Sequence, residues 1–290
     1  MSNKNLRVDY DRRAVVRRNY TKIRMVYGRP LYLFGIGCTH YGGTGFSKAS
    51  YEFFKERWAD KFLNEPNYYA YLLGDLLDKY RTSSQFQNRE LQEDSISAIE
   101  QRQMEDAEGF VRDFAFLKGN VLGSVEGNHG GYMPECGMTA DEFIASKLGA
   151  DPDKHGGILL HYLDLIIGNK AYPIKIQAYH GKRGGGVYAG SLLHELEQKV
   201  RSFDSDIMLS AHAHTPIATK LARICTEKDS ISASPILLMR TGSWNKSYEQ
   251  DKEHYAVRAL YNPSALAMTY ITITAYKIKG EVKIHMEFHG

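Results

Sequence analysis

The segment LYLFGIGCTH, residues 31–40, is a short apolar run that ends at a glycine followed by a cysteine and a histidine. The same plan returns in YAYLLGDLLD at residues 69–78 and in VLGSVEGNH at residues 121–129. A fourth apolar run, Ile207–Leu209, leads into another small-residue corner. Compact apolar runs of this kind are typical of buried strands, whose chemistry usually lies on the loops at their carboxyl ends.

The remaining chain alternates between helical and strand-like patterns. Apolar residues have helical spacing in four segments, Lys48–Leu63, Glu90–Leu117, Ala140–Leu148 and Ser191–Phe203. Longer alternating segments, rich in β-branched and aromatic residues, fill the second half: Ile158–Ile167, Tyr172–Tyr179, Pro235–Thr241, Met268–Tyr276 and Val282–Phe288. The pattern predicts a layered α/β protein with two sheets, one of them largely antiparallel.

Charge is distributed unevenly along the 290 residues, although the whole chain carries only +3. Residues 1–29 hold nine Lys or Arg against two Asp, a local +7, so the rest of the chain carries −4. We expect a basic N-terminal arm at 1–29 and a single domain at 30–290. The arm is either a contact for an anionic partner or assembly, or a solvated tail.

Cysteine usage and hydropathy indicate the compartment. Three widely spaced cysteines, Cys38, Cys136 and Cys225, favour a reducing environment over a disulfide framework. The N-terminus lacks the apolar core of a signal peptide. The longest apolar run, Ile158–Ile167, is far shorter than the ~20 residues of a membrane span. We therefore expect a cytoplasmic protein that does not enter a membrane.

Five predicted strands each end at a potential metal donor within a residue or two of a small residue. The donors are Cys38 and His40, Asp75 and Asp78, Asn128 and His129, His180, and His212 and His214. Imidazole, carboxylate and amide groups together suit Zn²⁺, Mn²⁺ or Fe. The set exceeds what one tetrahedral ion needs, and it fits two adjacent metals that share a carboxylate.

The ordered set resembles the calcineurin-like metallophosphoesterases. Their motifs run Asp-x-His, Gly-Asp-x-x-Asp/Glu, Gly-Asn-His-Asp/Glu, His and Gly-His-x-His, and the resemblance covers roughly residues 31–245. The segments Asn64–Tyr68 and Arg240–Trp244 look most like the phage-encoded members. The resemblance implies a four-layer α/β/β/α sandwich with two mixed sheets and a dinuclear site between them.

Carried over position by position, the resemblance implies a role for each donor. His40, Asp75 and His214 would bind the first metal, with Cys38 at the position of the family's first Asp. Asp75 would be shared with the second metal, whose other ligands would be Asn128, His180 and His212. His129 would act at the leaving group, Asp78 would orient a ligand, and a metal-bound hydroxide would attack the phosphate ester.

Two positions depart from the family pattern. Cys38 replaces an Asp, and a thiolate favours Zn²⁺ or Fe over Mg²⁺; alternatively Cys38 is a small buried residue without a ligand role. Gly130 replaces the acid that follows the catalytic histidine, so His129 needs another partner. Lys182 and Arg183, two and three positions after His180, either contact substrate phosphate or form a solvated turn.

The resemblance implies a hydrolase that cleaves a phosphate ester. The basic arm and the phage-like segments favour a phosphodiester in nucleic acid or a nucleotide, as in a nuclease, acting in the host cytoplasm if the protein is phage-encoded. Two alternatives stay open: a phosphomonoesterase acting on protein or small molecules, and a degenerate fold that serves as a binding or assembly module. The sequence leaves the oligomeric state open.

Overall fold

The computed structural model describes residues 16–78, 96–129, 131–151, 154–181, 189–200, 203–227, 230–246 and 266–290. Fourteen strands lie in these ranges: β1 (Val16–Met25), β2 (Leu31–Ile36), β3 (Tyr68–Leu72), β4 (Val121–Val125), β5 (Tyr132–Met133), β6 (Met138–Thr139), β7 (His155–Gly156), β8 (Ile158–Ile167), β9 (Lys170–Tyr179), β10 (Ile207–Ser210), β11 (Ile217–Glu227), β12 (Ser230–Arg240), β13 (Thr269–Ile278) and β14 (Glu281–His289). The α-helices are α1 (Lys48–Asn64), α2 (Ile96–Asp113), α3 (Ala140–Lys147) and α4 (Ala189–Val200).

Twelve of the strands form two six-stranded mixed sheets. Sheet I has the order β14-β13-β2-β3-β4-β7, in which β2, β3, β4 and β7 are parallel and β13 and β14 are antiparallel additions. Sheet II has the order β1-β8-β9-β10-β12-β11. It combines parallel pairs (β1 with β8, β9 with β10, β10 with β12) with the antiparallel pairs β8–β9 and β11–β12.

Three hydrophobic clusters divide the molecule into layers. The first packs α1, α2 and α3 on the outer face of sheet I, with Phe34, Phe54 and Phe110 among its fully buried rings. The second fills the space between the sheets, and Leu33 and Leu163 are typical of it. The third joins α4 to the outer face of sheet II. This arrangement confirms the predicted four-layer α/β/β/α sandwich.

The predicted elements agree with the observed ones along most of the chain. The prediction that one sheet is largely antiparallel is wrong, because each six-stranded sheet has three parallel and two antiparallel strand pairs. The helix predicted at Glu90–Leu117 ends at Asp113 and is followed by a short 3-10 helix at Ala115–Leu117; its predicted first residues lie outside the described ranges. Two long strands were not predicted, and neither were the two-residue strands β5, β6 and β7. The end of the basic segment forms β1, and β11 precedes β12 in a long hairpin.

Both missed long strands lie at edges of sheet II, where one side of the backbone has no strand partner in the described chain. Edge strands carry many charged residues because these discourage pairing with other chains. Their composition therefore resembles that of solvated loops.

Among the described helices, none is long and apolar enough to cross a bilayer.

One buried histidine between the sheets has a stability role that can be tested. His161 on β8 is 1% exposed, with Nδ1 2.7 Å from the Tyr71 hydroxyl and Nε2 2.9 Å from Thr21 Oγ1. Burial, with a smaller contribution from the charge of Lys154, lowers the pKa of His161 from 6.5 to about 4. Because desolvation opposes the charged form, the folded protein keeps this imidazole neutral.

We predict that His161 makes the fold lose stability as the pH falls from 6.5 towards 4. Over this range the unfolded chain takes up a proton at His161 and the folded chain does not. This difference lowers the free energy of unfolding by about 3 kcal/mol at pH 4. Urea unfolding of the wild type and His161→Gln between pH 7 and pH 4 measures the difference. Equal pH dependence in both proteins would contradict the prediction, and the exposed-histidine variant His285→Gln should behave like the wild type.

Candidate metal centre

The backbone at the strand ends is held in an uncommon conformation. Six described non-glycine residues have a positive φ, and five of them are predicted ligands: Cys38 (49°), His40 (49°), Asp75 (52°), His212 (73°) and His214 (56°). A left-handed conformation costs a non-glycine residue roughly 1–3 kcal/mol and persists only where the surroundings enforce it. The strain is therefore concentrated at one place in the fold.

Hydrogen bonds between the loops enforce this conformation. The loop after β2 continues its pairing with the loop after β3, because Cys38 N–H donates to Gly74 O (2.9 Å) and His40 N–H donates to Asp75 O (3.2 Å). The carbonyl of Cys38 also accepts from Trp244 N–H (3.1 Å) and from the Ser243 hydroxyl (2.9 Å). The segment after β12 thus anchors the corner that carries Cys38 and His40.

Two glycines allow the loops after β3 and β4 to contact each other through their backbones. A Cβ on Gly74, where φ is 79°, would lie 2.5 Å from the nitrogen of Gly127. A Cβ on Gly127 would lie 2.1 Å from the nitrogen of Asp75. Since no side chain fits at either position, glycine is required for Asp75 and Asn128 to approach each other.

The first group of donors contains Cys38, His40 and His214. One sulfur and two imidazole nitrogens of these residues lie within 4.8 Å of one another, and the Nε2 atoms of His40 and His214 are 3.0 Å apart. Cys38 and His40 follow β2 of sheet I, whereas His214 follows β10 of sheet II. The group therefore spans the gap between the sheets.

The second group converges on Nε2 of His180. This atom lies 2.9 Å from Asp75 Oδ2, 3.0 Å from Asn128 Oδ1 and 3.2 Å from His212 Nδ1. The other nitrogen of His180, Nδ1, lies 2.6 Å from the carbonyl oxygen of Leu73, which can only accept. Nδ1 therefore carries a hydrogen, and a neutral His180 presents a lone pair at Nε2.

This convergence fits a metal ion. A carboxylate oxygen, an amide oxygen and two imidazole nitrogens crowd around one point, and a cation there would satisfy all of them. Burial alone would lower the pKa of His180, but the Asp75 carboxylate outweighs burial and raises it. Burial likewise raises the pKa of Asp75 by itself, yet His180 and His129 hold it well below its usual range.

Cys38 belongs to both groups of donors. Its sulfur lies with His40 and His214 in one cluster and with Asp75 and His180 in another. Burial, together with the charge of Asp75, raises the pKa of this thiol well above its usual value. The sulfur also accepts a hydrogen bond from His212 N–H at 3.0 Å. The structure thus places the Cys38 sulfur beside donors of both groups.

The two remaining predicted site residues, Asp78 and His129, lie beside these groups. Asp78 Oδ1 is 3.4 Å from His40 Nδ1 and 3.7 Å from His129 Nδ1, while His129 Nε2 is 3.9 Å from Asp75 Oδ2. Burial favours a higher pKa for Asp78, but the two imidazoles outweigh it and hold the pKa well below the ordinary range. Asp78 is therefore the acid next to His129 that Gly130 does not supply.

Two histidines of the centre, His212 and His214, stay neutral. Burial, followed by the neighbouring His180, lowers the pKa of His212 to about 4. Burial and the nearby His40 lower the pKa of His214 well below its usual value. Because a metal ligand must be a neutral imidazole, both residues are ready to coordinate near pH 7. Lys182 and Arg183, the predicted phosphate contacts, lie outside the described residues.

Asp141 is a residue of the centre that sequence reasoning did not assign to it. In the sequence, Asp141 is simply an acid at the start of the predicted helix Ala140–Leu148. In the structure the buried carboxylate accepts N–H hydrogen bonds from Leu76 (3.1 Å) and Gly127 (2.8 Å) and so joins the loops that carry Asp75 and Asn128. Burial raises its pKa to about 7.

We found the following similarities to known proteins. No protein-family model and no curated protein matches the sequence. Solved structures that resemble it include Vacuolar Protein Sorting 29 from Cryptosporidium parvum (16% identity, covering 90% of this chain and 98% of that one, TM-score 0.37). A metallophosphoesterase from Sphaerobacter thermophilus has 13% identity, 89% and 88% coverage and a TM-score of 0.34.

A further similar structure is GAP50, the anchor in the inner membrane complex of Plasmodium. It has 8% identity, covers 88% of each chain and gives a TM-score of 0.44. All three TM-scores are below 0.5. The function proposed below therefore rests on the residues of this chain.

We predict that Asp141→Ala loosens the centre while leaving the sheets intact. The amide hydrogens of Leu76 and Gly127 lose their acceptor, so we expect their exchange with solvent to become at least roughly tenfold faster. Zn²⁺ affinity should fall by about 10–100-fold, as is typical when a partner behind the ligands is removed. Hydrogen exchange and chelator competition measure both effects, and the exposed control Glu135→Ala should change neither. Unchanged exchange at both amides would contradict the prediction.

Proposed function

We propose that this chain is a metal-dependent phosphoesterase of the calcineurin-like superfamily, acting on a phosphodiester in nucleic acid or a nucleotide. The observation that carries the proposal is the convergence of Asp75, Asn128 and His212 on the lone pair of His180. The first group of donors lies directly beside it and shares Cys38. The local charge of +7 in residues 1–29 favours a polyanionic substrate over a small phosphomonoester.

The proposed centre would hold two divalent cations. Cys38, His40, Asp75 and His214 would be the ligands of one, and Asp75, Asn128, His180 and His212 would be the ligands of the other. Zn or Fe is favoured if the thiolate of Cys38 is a ligand, and Mn suits the remaining oxygen and nitrogen donors. Bound there, the cations would supply Lewis acidity at the phosphoryl group and a nucleophile acidified to near-neutral pH.

Residues of the chain itself would orient a metal ligand and protonate the leaving group. Asp78 accepts from His40 Nδ1, which leaves Nε2 of His40 free to coordinate, as carboxylates behind metal-binding histidines commonly do. The same carboxylate faces His129, and its negative charge favours the protonated imidazole. His129 is 21% exposed and therefore accessible to substrate. We assign it the protonation of the departing ester oxygen.

Two further roles belong to the proposal. Lys182 and Arg183 follow His180 in the chain, and we assign them contacts to substrate phosphate because a guanidinium binds phosphate through two parallel hydrogen bonds.

The proposal predicts about two metals per chain and Mn²⁺- or Zn²⁺-dependent hydrolysis of bis-p-nitrophenyl phosphate. His129→Ala should keep the metals and lose roughly 10²–10⁴-fold in kcat, since it removes an acid and not a ligand. Asp75→Ala should lose both metal and activity. Metal analysis of purified protein, with diester and p-nitrophenyl phosphate assays, measures these outcomes.

The control for both variants is His285→Ala, because His285 is exposed on β14 and far from the donors in the fold. It should retain full metal content and activity. Protein without metal and without turnover under any divalent ion would leave a binding or assembly module. Preference for p-nitrophenyl phosphate over the diester would instead indicate a phosphomonoesterase.

We further predict that Cys38→Asp changes the metal preference. Sulfur is a soft ligand, so the wild type should bind Zn²⁺ and be activated by it more strongly than by Mn²⁺; a carboxylate at this position should shift activation towards Mn²⁺. Cys38→Ser tests for a ligand of intermediate character, and Cys225→Ser on β11 is the matched control. Identical Zn²⁺ affinity in the wild type and Cys38→Ser would show that the thiolate does not touch metal.

A further inference from the structure

The outer face of sheet II carries a row of exposed basic and aromatic residues near β1. Side chains of β1 alternate, and the outward set, Val16, Arg18, Tyr20, Lys22 and Arg24, is exposed throughout. The opposite set faces the space between the sheets, where Asn19 and Ile23 are buried. The outward set thus presents three cations around one aromatic ring.

A second ring lies next to the first. Tyr20 pairs in register with Tyr162 of β8, so the two rings project side by side from neighbouring strands of one sheet face. Together with Arg18 and Asn19 they line a depression of about 320 Å³. The Arg18 guanidinium lies 4.9 Å from the centroid of the Tyr162 ring, and Lys22 Nζ lies 5.7 Å from that of Tyr20.

Charge on this face is positive. The carboxylate nearest to the rings, Asp164, is almost buried and accepts a hydrogen bond from the Tyr20 hydroxyl. Arg18, Lys22 and Arg24 therefore outnumber it on the outward rows of β1 and β8. Lys175, the residue of β9 in line with Tyr162, is paired with Asp204 and adds little.

One end of this face lies near the candidate metal centre. Val16 pairs with Ile158, and Ile158 pairs with Tyr179, which directly precedes His180. β1 therefore begins at the same end of the sheet II strands as the centre. Two strand spacings separate β1 from β9, a lateral distance of about 10 Å. Tyr20 lies four residues further along β1, about 13 Å from Val16. A nucleic acid chain bound on this face would therefore reach the donors with nucleotides that extend beyond the platform.

We propose that Arg18, Tyr20, Lys22, Arg24 and Tyr162 form a binding platform for single-stranded nucleic acid. This deepens the proposed function, because it names the substrate class of the same centre. The basic side chains contact the phosphate backbone. The tyrosine rings and the guanidinium plane offer surfaces on which unpaired bases stack. Duplex bases are already stacked, so the rings favour a single strand over a duplex. A purely protective role of the edge-strand charges would require no tyrosines.

The test is fluorescence anisotropy with a labelled 20-nucleotide oligo-dT, in EDTA so that no cleavage occurs. We expect Tyr20→Ala/Tyr162→Ala to weaken binding by about tenfold or more per ring. Tyr20→Phe/Tyr162→Phe keeps the rings and should bind like the wild type. Arg18→Ala/Lys22→Ala should lower the slope of log affinity against log salt by about 1.4. The exposed controls Tyr276→Ala and Lys118→Ala/Lys277→Ala should change nothing.

Four results would overturn the platform. They are no oligonucleotide binding by the wild type at low salt, equal affinity of the alanine tyrosine variant and the wild type, equal binding of duplex DNA, and equal binding of polyglutamate or of vesicles with anionic lipid. Circular dichroism of each variant separates lost binding from lost folding.

Bis-p-nitrophenyl phosphate turnover by the same proteins separates this proposal from the proposed function. The platform variants should hydrolyse this small diester like the wild type. Tyrosine-dependent oligonucleotide binding in a protein without turnover would support the platform and overturn the proposed function. Turnover without oligonucleotide binding would do the reverse.

Discussion

The backbone contact between Gly74 and Gly127 is the constraint on which the centre depends. Because neither position has room for a Cβ, the loops after β3 and β4 lie against each other, and Asp75 and Asn128 are brought together. The carboxylate of Asp141 holds the same two loops together by accepting hydrogen bonds from the backbone N–H groups of Leu76 and Gly127. The left-handed conformations at five donor positions are the energetic cost of this arrangement, and the surrounding hydrogen bonds and packing offset it.

The position of the centre follows from the topology. Parallel strands of each sheet end at one edge, and the two sheets stack so that these edges coincide. Sheet I contributes Cys38, His40, Asp75 and Asn128, whereas sheet II contributes His180, His212 and His214. Neither sheet holds a complete group of donors. The integrity of the centre is thus tied to the apolar layer between the sheets, and loosening that layer would separate the ligands.

Much of this could be predicted from the sequence. Short apolar runs that end in glycine corners marked β2, β3 and β4, and chemically suitable residues at these corners marked the centre. β1 and β11 could not be predicted because edge strands are charged and alternate weakly. The role of Asp141 could not be predicted either, since a first-turn acid looks the same whether it caps its own helix or holds two distant loops. The sequence did not reveal Asp78 as the partner of His129, because only the fold brings the two side chains together.

The pairing of β1 with β8 has a consequence for how the chain is made. Val16 and Ile158 are partners, so the first strand of sheet II cannot join the sheet until more than half of the chain has left the ribosome. Sheet I can begin earlier, because β2 also pairs with β3, but β2 gains its second partner only when β13 has been made. Long-range pairings of this kind make folding slow. The nascent protein will therefore carry an unpaired basic strand for most of its synthesis, and the charges on β1 help to keep it from pairing with other chains in that interval.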